Sequence, residues 1–237
     1  MKLTKAIILA GGLGTRLRPV TLEIPKPLLT VKRQPIINYL IKFLARFGVK
    51  DIGLLIHRDH LSDYEWWQKR FKKELPAKIR IFIEEEPSGT FGAVRQLRSW
   101  LGNKPFVLSN GDELKDFDLG AIKEFHESHR VKPLATIALV KVDNPSHYGV
   151  PVMEGDLIKE FLEKPENPPG DHISSGFYIL EPQVFDYADP GKKFLMIEKD
   201  IFPKLAAAGK LCGYKVKNGR WFDCGTFERW EKAIKEW

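Results

Sequence analysis

The sequence predicts an α/β protein whose central sheet is mostly parallel. From the amino terminus to about residue 110, short apolar runs of strand length alternate with segments whose apolar residues recur at helical spacing. Glycine, proline and polar residues separate these segments. Alternation of this kind predicts parallel strands joined by helices that cover both faces of a sheet. Ligands of such sheets bind beyond the carboxyl ends of the strands.

The first half is predicted to run β, α, β, α, β, α, β. Its first helix, over Pro35–Phe47, has apolar residues at helical spacing, a proline suited to the first turn and a stop at Gly48. Strands are predicted over Lys5–Ala10, Ile52–Ile56, Lys78–Ile83 and Phe106–Leu108, and helices near His60–Lys73 and Thr90–Trp100. Gly11–Arg18 and Asn110–Asp112 therefore fall at the edge of the sheet where ligands bind.

The second half is predicted to be richer in strands and to extend the same sheet. Strands are predicted over Leu134–Val140, Tyr148–Met153, Leu157–Glu163, Gly176–Leu180 and Leu211–Val216, and helices over Ala121–Arg130, Glu198–Ala208 and Thr226–Trp237. Three prolines make Lys164–Asp171 a loop. Because the sequence has no internal repeat or linker, we predict one domain over residues 1–237, with two halves that meet near residue 130.

The composition is that of a globular protein with a sizeable core, since 43% of the residues are hydrophobic and 29% are charged. The early apolar run AIILA is far shorter than the roughly 20 residues of a membrane-spanning helix, and no signal-peptide cleavage site follows it. We therefore expect a cytoplasmic protein with no membrane partner. Cys212 and Cys224 are too few for a disulfide framework and are expected to be buried free thiols.

The net charge favours an anionic partner. Lysine and arginine number 38 against 31 aspartates and glutamates, which gives +7. The basic residues are scattered, and the sequence has no RNP-like motif, zinc-finger spacing or basic tail. We therefore expect phosphorylated small molecules rather than nucleic acid as partners.

The segment Ile8–Leu29, ILAGGLGTRLRPVTLEIPKPLL, carries the strongest functional signal. Glycines directly after a strand allow close approach of the backbone to a ligand and direct N–H groups into a phosphate-sized concavity. The segment is neither a GxGxxG fingerprint, because Leu17 replaces a glycine, nor a P-loop, because Gly-Lys-Ser/Thr is absent. Arg16, Arg18 and Lys26 are expected to be exposed cations that face a polyphosphate. The alternative is a tight turn with solvated basic residues.

Two aspartates are candidate Mg²⁺ ligands. Asp112 ends an apolar strand and Asp223 follows Trp221 and Phe222, and we expect both at the same edge of the sheet. Paired carboxylates suit Mg²⁺, a hard ion that takes oxygen ligands and bridges substrate phosphates. Taken alone, each aspartate is also explained as the cap of a turn or helix.

These segments resemble the sugar-1-phosphate nucleotidyltransferase family. GGLGTRLRP continuing into PKPLL is similar to the family's first motif, and the resemblance continues through EEPSGTFGA, VLSNGD, HYGV, FLEKP, SSGFY and WFDCGT. It implies a Rossmann-like three-layer fold in which these motifs line one cleft. It also implies an enzyme that joins a sugar 1-phosphate to the NMP portion of a nucleoside triphosphate and releases pyrophosphate.

The resemblance implies roles for individual residues. The implied catalytic residues are Arg16, Lys26, Asp112 and Asp223, and both aspartates hold Mg²⁺. The implied nucleotide-binding residues are Leu9, Ala10, Gly11, Gly12, Gly14, Thr15, Arg16, Lys26, Gly89 and Thr90. The implied sugar-phosphate-binding residues are Asn110, Gly149, Glu163, Lys164 and Ser174. Thr90 is also expected to cap its helix.

Alternative interpretations concern one pair of these residues and a pair of histidines. Glu163 and Lys164 are alternatively an exposed ion pair worth about 0–1 kcal/mol. His126 and His129 stand three apart on a predicted helix without a third metal ligand, and we expect them to form a solvated face.

GTFGA and HYGV favour a guanylyltransferase that uses GTP and mannose 1-phosphate. The alternatives are glucose 1-phosphate with dTTP or UTP, a heptose or amino-sugar phosphate, and a catalytically inactive regulatory protein that binds a nucleotide sugar. Few residues follow Asp223, so we expect no left-handed β-helix domain of the kind that longer relatives carry. The sequence leaves open whether copies of the chain form a homo-oligomer.

Overall fold

The computed structural model describes residues 2–237, which form thirteen β-strands and seven α-helices. The strands are β1 (Lys5–Leu9), β2 (Thr30–Val31), β3 (Gln34–Pro35), β4 (Asp51–His57), β5 (Lys78–Glu84), β6 (Phe106–Asn110), β7 (Glu113–Phe117), β8 (Ala135–Lys141), β9 (Gly149–Glu154), β10 (Leu157–Glu163), β11 (His172–Leu180), β12 (Leu211–Lys215) and β13 (Gly219–Asp223). The helices are α1 (Ile36–Arg46), α2 (Leu61–Phe71), α3 (Gly89–Gln96), α4 (Arg98–Leu101), α5 (Leu119–Ser128), α6 (Phe202–Ala207) and α7 (Phe227–Glu236). No helix in residues 2–237 has the length and apolarity needed to cross a membrane.

Contacts divide the chain into two compact units. The amino-terminal unit comprises Thr4–Glu86, Ser109–Phe117 and Gly219–Trp237. The central unit comprises Pro87–Leu108 and Asp118–Asn218, together with residues 2–3. The amino-terminal unit is therefore built from three separate stretches of sequence.

The amino-terminal unit contains three parallel strands in the order β5-β4-β1. The middle strand, β4, is apolar and buried over Ile52–Ile56, as expected for a parallel strand covered on both faces. α1 buries the apolar residues Ile37, Leu40 and Leu44 that predicted it. α2 buries Trp67, whose indole N–H donates to the Asn38 side chain at 2.8 Å.

The central unit carries the strand-rich second half, in the order β6-β11-β8-β12-β10-β9. β12 pairs with β8 in parallel, whereas β11 with β8, β10 with β12 and β10 with β9 are antiparallel. Aromatic rings fill its interior, among them Phe106 stacked on Phe185 with centroids 5.9 Å apart. The predicted α/β class, with a mostly parallel sheet and a strand-rich extension, is confirmed.

Most predicted elements are present, with ends shifted by a few residues. The helix predicted over Thr90–Trp100 is wrong as a single element, because the chain forms α3 and then α4 with a break at Leu97. The helix predicted to begin at Glu198 instead begins with a π-helical turn, Ile197–Ile201, ahead of α6.

The prediction missed a two-stranded antiparallel ribbon of β7 and β13 in the amino-terminal unit. Its register places Phe117 opposite Gly219 at one end and Glu113 opposite Asp223 at the other. The ribbon belongs to a buried cluster that also includes the glycine-loop region and α7. The buried members of this cluster are Leu17, Leu29, Val31, Ile36, Leu114, Cys224 and Ala233. Packing of residues from the two ends of the sequence thus fixes where Asp223 lies.

The ribbon requires glycine at residue 219. Gly219 has φ of 136°, and a Cβ there would lie 2.5 Å from the Asp116 carbonyl oxygen. Gly219→Ala should lower the free energy of unfolding by about 1–3 kcal/mol, as measured by chemical denaturation, because the side chain strains the backbone and displaces β7. Gly155→Ala is the control, since Gly155 has φ of 59° with no neighbouring atom within 4 Å of a built Cβ. An equal decrease in the free energy of unfolding in both variants would show that the ribbon accommodates a side chain at residue 219.

Candidate functional site

The glycine loop follows β1 in the amino-terminal unit and is fixed by hydrogen bonds. The Ala10 N–H donates to the Leu55 carbonyl at 2.8 Å, and the buried Tyr64 hydroxyl donates to the Ala10 carbonyl at 3.1 Å. Farther along, the Thr21 hydroxyl donates to the Gly14 carbonyl at 2.8 Å. The loop is therefore held at both ends, while Arg16, Gly12 and Thr15 remain exposed on it.

Lys26 is buried, so the prediction of an exposed cation is wrong for this residue. Only 7% of Lys26 is exposed, and its ammonium forms ion pairs with Asp112 and, at 4.0 Å, with Oδ1 of Asp223. Burial disfavours the charged ammonium, but the two carboxylates outweigh this cost and raise the pKa of Lys26. The lysine is drawn inward because both aspartates converge on it.

Asp112 and Asp223 lie beside each other at one end of the ribbon. Asp223 is the last residue of β13, and the following N–H, from Cys224, donates to the Asp112 carbonyl at 3.4 Å. Arg229 of α7 holds Oδ2 of Asp223 at 2.6 Å. Burial acts to raise the pKa of Asp112, but Lys26 and Lys115 outweigh it and leave that pKa below the usual range. The structure thus brings together two carboxylates that are 111 residues apart in the numbering.

Sequence reasoning missed a buried ion pair next to these aspartates. The Lys115 ammonium lies 2.9 Å from Oε2 of Glu113, and the lysine is 1% exposed. Glu113 also accepts hydrogen bonds from the Asn110 amide at 2.9 Å and from the Trp221 indole at 2.8 Å. Burial raises the pKa of Glu113; Lys115 opposes this, and Asp112 and Asp223 add to it. The usable signal was a Glu-x-Lys pair directly after Asp112, which places both side chains on one face of a strand.

Both cysteines are buried free thiols, as predicted. Burial raises the pKa of each thiol to about 12. For Cys224 the neighbouring carboxylates of Asp112 and Asp223 add to the effect of burial. Neither cysteine is suited to act as a nucleophile, because the thiolate is the reactive form.

Gly89 and Thr90 begin α3 in the central unit and are held by the chain around Leu195. The Ser88 carbonyl accepts from the Leu195 N–H at 2.8 Å, and a Cβ on Gly89 would lie 2.5 Å from the Leu195 carbonyl oxygen. The expected helix cap by Thr90 is wrong, since Ser88 precedes the first helical residue, Gly89. The Thr90 hydroxyl instead accepts from the Ile197 N–H at 2.9 Å.

Gly149, Glu163 and Lys164 form a second cluster in the central unit. Gly149 pairs with Glu163 across β9 and β10, and a Cβ on it would lie 2.4 Å from the Phe161 ring and 3.2 Å from the Glu163 carboxylate. The Lys164 ammonium lies 3.4 Å from Oε1 of Glu163, and both residues are exposed. Lys164 has φ of 52°, and its N–H donates to the Tyr148 carbonyl at 3.0 Å. A non-glycine residue in this region is uncommon and marks a constrained position.

Two further polar side chains of the central unit are the Glu198 carboxylate and the Ser174 hydroxyl. Glu198, on the π-helical turn, accepts from the Thr90 hydroxyl at 3.3 Å and feels the charges of Glu163 and Lys164. Burial raises the pKa of Glu198. Ser174 lies where the pairing of β11 with β8 shifts register, and its hydroxyl donates to Tyr178 at 3.3 Å.

The expected solvated face of His126 and His129 is wrong. His126 is 3% exposed, its Nδ1 lies 2.7 Å from the Thr136 hydroxyl and its Nε2 lies 3.3 Å from the Glu181 carboxylate. The His129 ring packs against Phe125. Among residues 2–237, no group of three or more His, Cys, Asp or Glu side chains is arranged to hold a metal ion.

Known proteins resemble this chain in sequence and in fold. The family model described as nucleotidyl transferase matches residues 5–237. A mannose-1-phosphate guanylyltransferase of Arabidopsis thaliana is 39% identical over 226 residues, which cover 93% of this chain and 61% of the relative. The chain therefore spans about three fifths of the length of the curated relatives it matches.

Solved structures have the same fold. A Bacillus anthracis protein assigned as a glucose-1-phosphate thymidylyltransferase, in complex with a sucrose, superposes with a TM-score of 0.87 at 27% identity and covers 98% of this chain and 94% of its own. HddC from Yersinia pseudotuberculosis, complexed with GMP-PN, superposes with a TM-score of 0.80 at 28% identity and covers 99% of each chain.

Proposed function

Because this chain belongs to the nucleotidyl transferase family, we propose that it transfers a nucleotidyl group from a nucleoside triphosphate to a sugar 1-phosphate and releases pyrophosphate. The arrangement that carries the proposal is Lys26 between Asp112 and Asp223, in the same unit as a fixed glycine loop. GTP and mannose 1-phosphate are the proposed pair, since similar relatives are named for that reaction and the Yersinia neighbour was solved with GMP-PN. We place the reaction in the cytoplasm.

The reaction proposed here needs no protein nucleophile. An oxygen of the sugar phosphate attacks the α-phosphorus in line, the bond from that phosphorus to the bridging β-oxygen breaks, and pyrophosphate leaves with its electron pair. The attacking phosphate is already ionised, so no general base is needed. Catalysis then comes from positioning and charge neutralisation. The loop amides and Arg16 bind the departing phosphates, and Lys26 neutralises charge at the reacting phosphate.

Asp112 and Asp223 are the proposed ligands of Mg²⁺. Two carboxylates that converge on one cation offer the hard oxygen donors this ion prefers, and Mg²⁺ in such enzymes takes one or two protein carboxylates and completes its shell with phosphates and water. The two residues therefore fit the ion. When bound, Mg²⁺ supplies charge stabilisation to the substrate phosphates.

The cluster of Gly149, Glu163 and Lys164 is the proposed site for the sugar phosphate. Lys164 offers an exposed cation. Its backbone N–H donates to the Tyr148 carbonyl, and its φ of 52° marks a constrained position. Glu163 can accept hydrogen bonds from sugar hydroxyls, and the Phe161 ring packs so closely on Gly149 that only glycine fits beside that carboxylate. Ser174 and Asn110 are proposed as further sugar-phosphate contacts, and Gly89 and Thr90 as contacts to the base.

The substrate proposal is tested by a matrix of GTP, dTTP, UTP, ATP and CTP against mannose, glucose, heptose and amino-sugar 1-phosphates, read by pyrophosphate release. We expect turnover to be highest with GTP and mannose 1-phosphate. A different best pair would correct the substrates alone. No release with any pair would favour the inactive regulatory protein, and direct binding of the NDP-sugar by calorimetry would then support that alternative.

Loss of either metal ligand should abolish turnover without unfolding the protein. We expect Asp112→Asn and Asp223→Asn each to lower kcat by orders of magnitude, because the reacting phosphates lose their bound ion. Circular dichroism checks the fold, and excess chelator should abolish the wild-type reaction. Full activity in both folded variants would overturn the metal assignment.

The two clusters should give distinct kinetic signatures. Lys164→Ala should lower kcat/KM for the sugar phosphate by about ten- to a hundredfold, since a charge-assisted hydrogen bond contributes roughly 1.5–3 kcal/mol. Its affinity for GTP alone, measured by calorimetry, should stay nearly unchanged, whereas Arg16→Ala should weaken GTP binding. Lys159→Ala, which removes an exposed lysine of β10 paired with Glu154, is the matched control. If Lys164→Ala instead lost much of its affinity for GTP and kept its sugar-phosphate kinetics, the assignment of this lysine to the sugar-phosphate site would be wrong.

A further inference from the structure

Charged side chains are buried together at one end of the β7–β13 ribbon. Glu113, Lys115 and Trp221 all project from the same face as Asp223, because Glu113 pairs with Asp223 and Lys115 pairs with Trp221. The Lys115 side chain is fully buried, and that of Glu113 is 9% exposed. Burial of an ion pair this deeply is costly, since the attraction between the charges often only offsets their lost hydration. The pair therefore calls for an explanation other than stability.

The contacts of Glu113 connect every segment that carries a proposed metal ligand. Oε1 accepts from the Asn110 side chain, at the end of β6 and two residues before Asp112. Oε2 accepts from the Trp221 indole, two residues before Asp223 on β13. Lys115 lies within 2.9 Å of the same Oε2 and within 3.5 Å of the Asn110 carbonyl oxygen. One carboxylate thus ties the strand before Asp112 to the strand that ends at Asp223.

We propose that the Glu113–Lys115 ion pair positions Asp112 and Asp223 so that both carboxylates face one metal ion. Glu113 fixes the two backbones through Asn110 and Trp221. Lys115 holds the Glu113 carboxylate in place, since its ammonium lies 2.9 Å from Oε2 of Glu113 and 3.5 Å from the Asn110 carbonyl oxygen. The proposal rests on the proposed function in one respect, since it takes Asp112 and Asp223 to be the metal ligands.

A double variant separates this role from a purely structural one. Glu113→Gln or Lys115→Met alone leaves a buried charge without its partner, which can unfold the protein. Glu113→Gln combined with Lys115→Met removes both charges, keeps the side-chain lengths and should fold with near wild-type stability. The matched control is Arg46→Met combined with Asp116→Asn. This ion pair of 2.7 Å joins Arg46 of α1 to Asp116 of β7, and its side chains are 58% and 42% exposed.

The first measurement is the affinity of the protein alone for Mn²⁺. Electron paramagnetic resonance detects binding as a decrease in the signal of the free ion. We expect the Glu113/Lys115 double variant to bind Mn²⁺ about 10- to 100-fold more weakly than wild type, the range typical for loss of groups that orient metal ligands. Its kcat should fall by a similar factor, while its thermal unfolding temperature stays close to that of wild type. The Arg46/Asp116 control should match wild type in all three measurements. Lys115→Arg, which keeps the cation, should retain more Mn²⁺ affinity than the Glu113/Lys115 double variant.

Wild-type Mn²⁺ affinity and kcat in the folded double variant would overturn the proposal. So would failure of the double variant to fold, since the pair would then serve the fold. Asp112→Asn distinguishes this proposal from the function it rests on. Unchanged Mn²⁺ binding in Asp112→Asn would overturn the metal assignment and the positioning role together. A third outcome is that Asp112→Asn abolishes Mn²⁺ binding but the wild-type protein releases pyrophosphate from no substrate pair. This result would overturn the proposed reaction and leave the positioning role intact.

Discussion

The register of the β7–β13 ribbon is the constraint on which the candidate site depends. It places Asp223 opposite Glu113 and therefore next to Asp112, although the residues come from distant parts of the chain. The register is set by packing, since Leu114, Cys224 and residues of α7 share one buried cluster with the glycine-loop region. A slip of one residue would turn Asp223 to the other face of the ribbon and separate the two carboxylates.

Convergence of like charges at this point explains the cations around it. Asp112, Glu113 and Asp223 would repel one another strongly in a partly buried setting, and each is paired with a cation: Lys26, Lys115 and Arg229, respectively. The cluster is therefore balanced in charge without a ligand. Because Lys26 is shared between two carboxylates, its ammonium contributes both to holding the site together and to the charge that an incoming phosphate would meet. Folding and the proposed function are thus coupled at this lysine.

Elements with a clear period could be predicted from the sequence, and elements built from tertiary contacts could not. β1, α1 and β10 were predicted nearly to the residue, because apolar spacing and glycine or proline boundaries specify them locally. β7 was missed because its charged residues, Glu113 and Lys115, are buried by partners from elsewhere in the chain. The same reason made the prediction for His126 wrong, since Thr136 and Glu181 satisfy its ring nitrogens inside the protein.

The candidate site shows the same division between local and tertiary information. The motifs located the glycine loop, Asp112, Asp223 and the Glu163–Lys164 pair, because residue type and position relative to strands are local properties. Burial of Lys26 was not predictable, since a lysine between two prolines looks exposed until the carboxylates that surround it are known. The groups that hold the aspartates in place were equally hidden. A motif therefore names candidate residues, whereas the contacts that hold them in place, such as those of Glu113 with Asn110 and Trp221, are visible only in the folded chain.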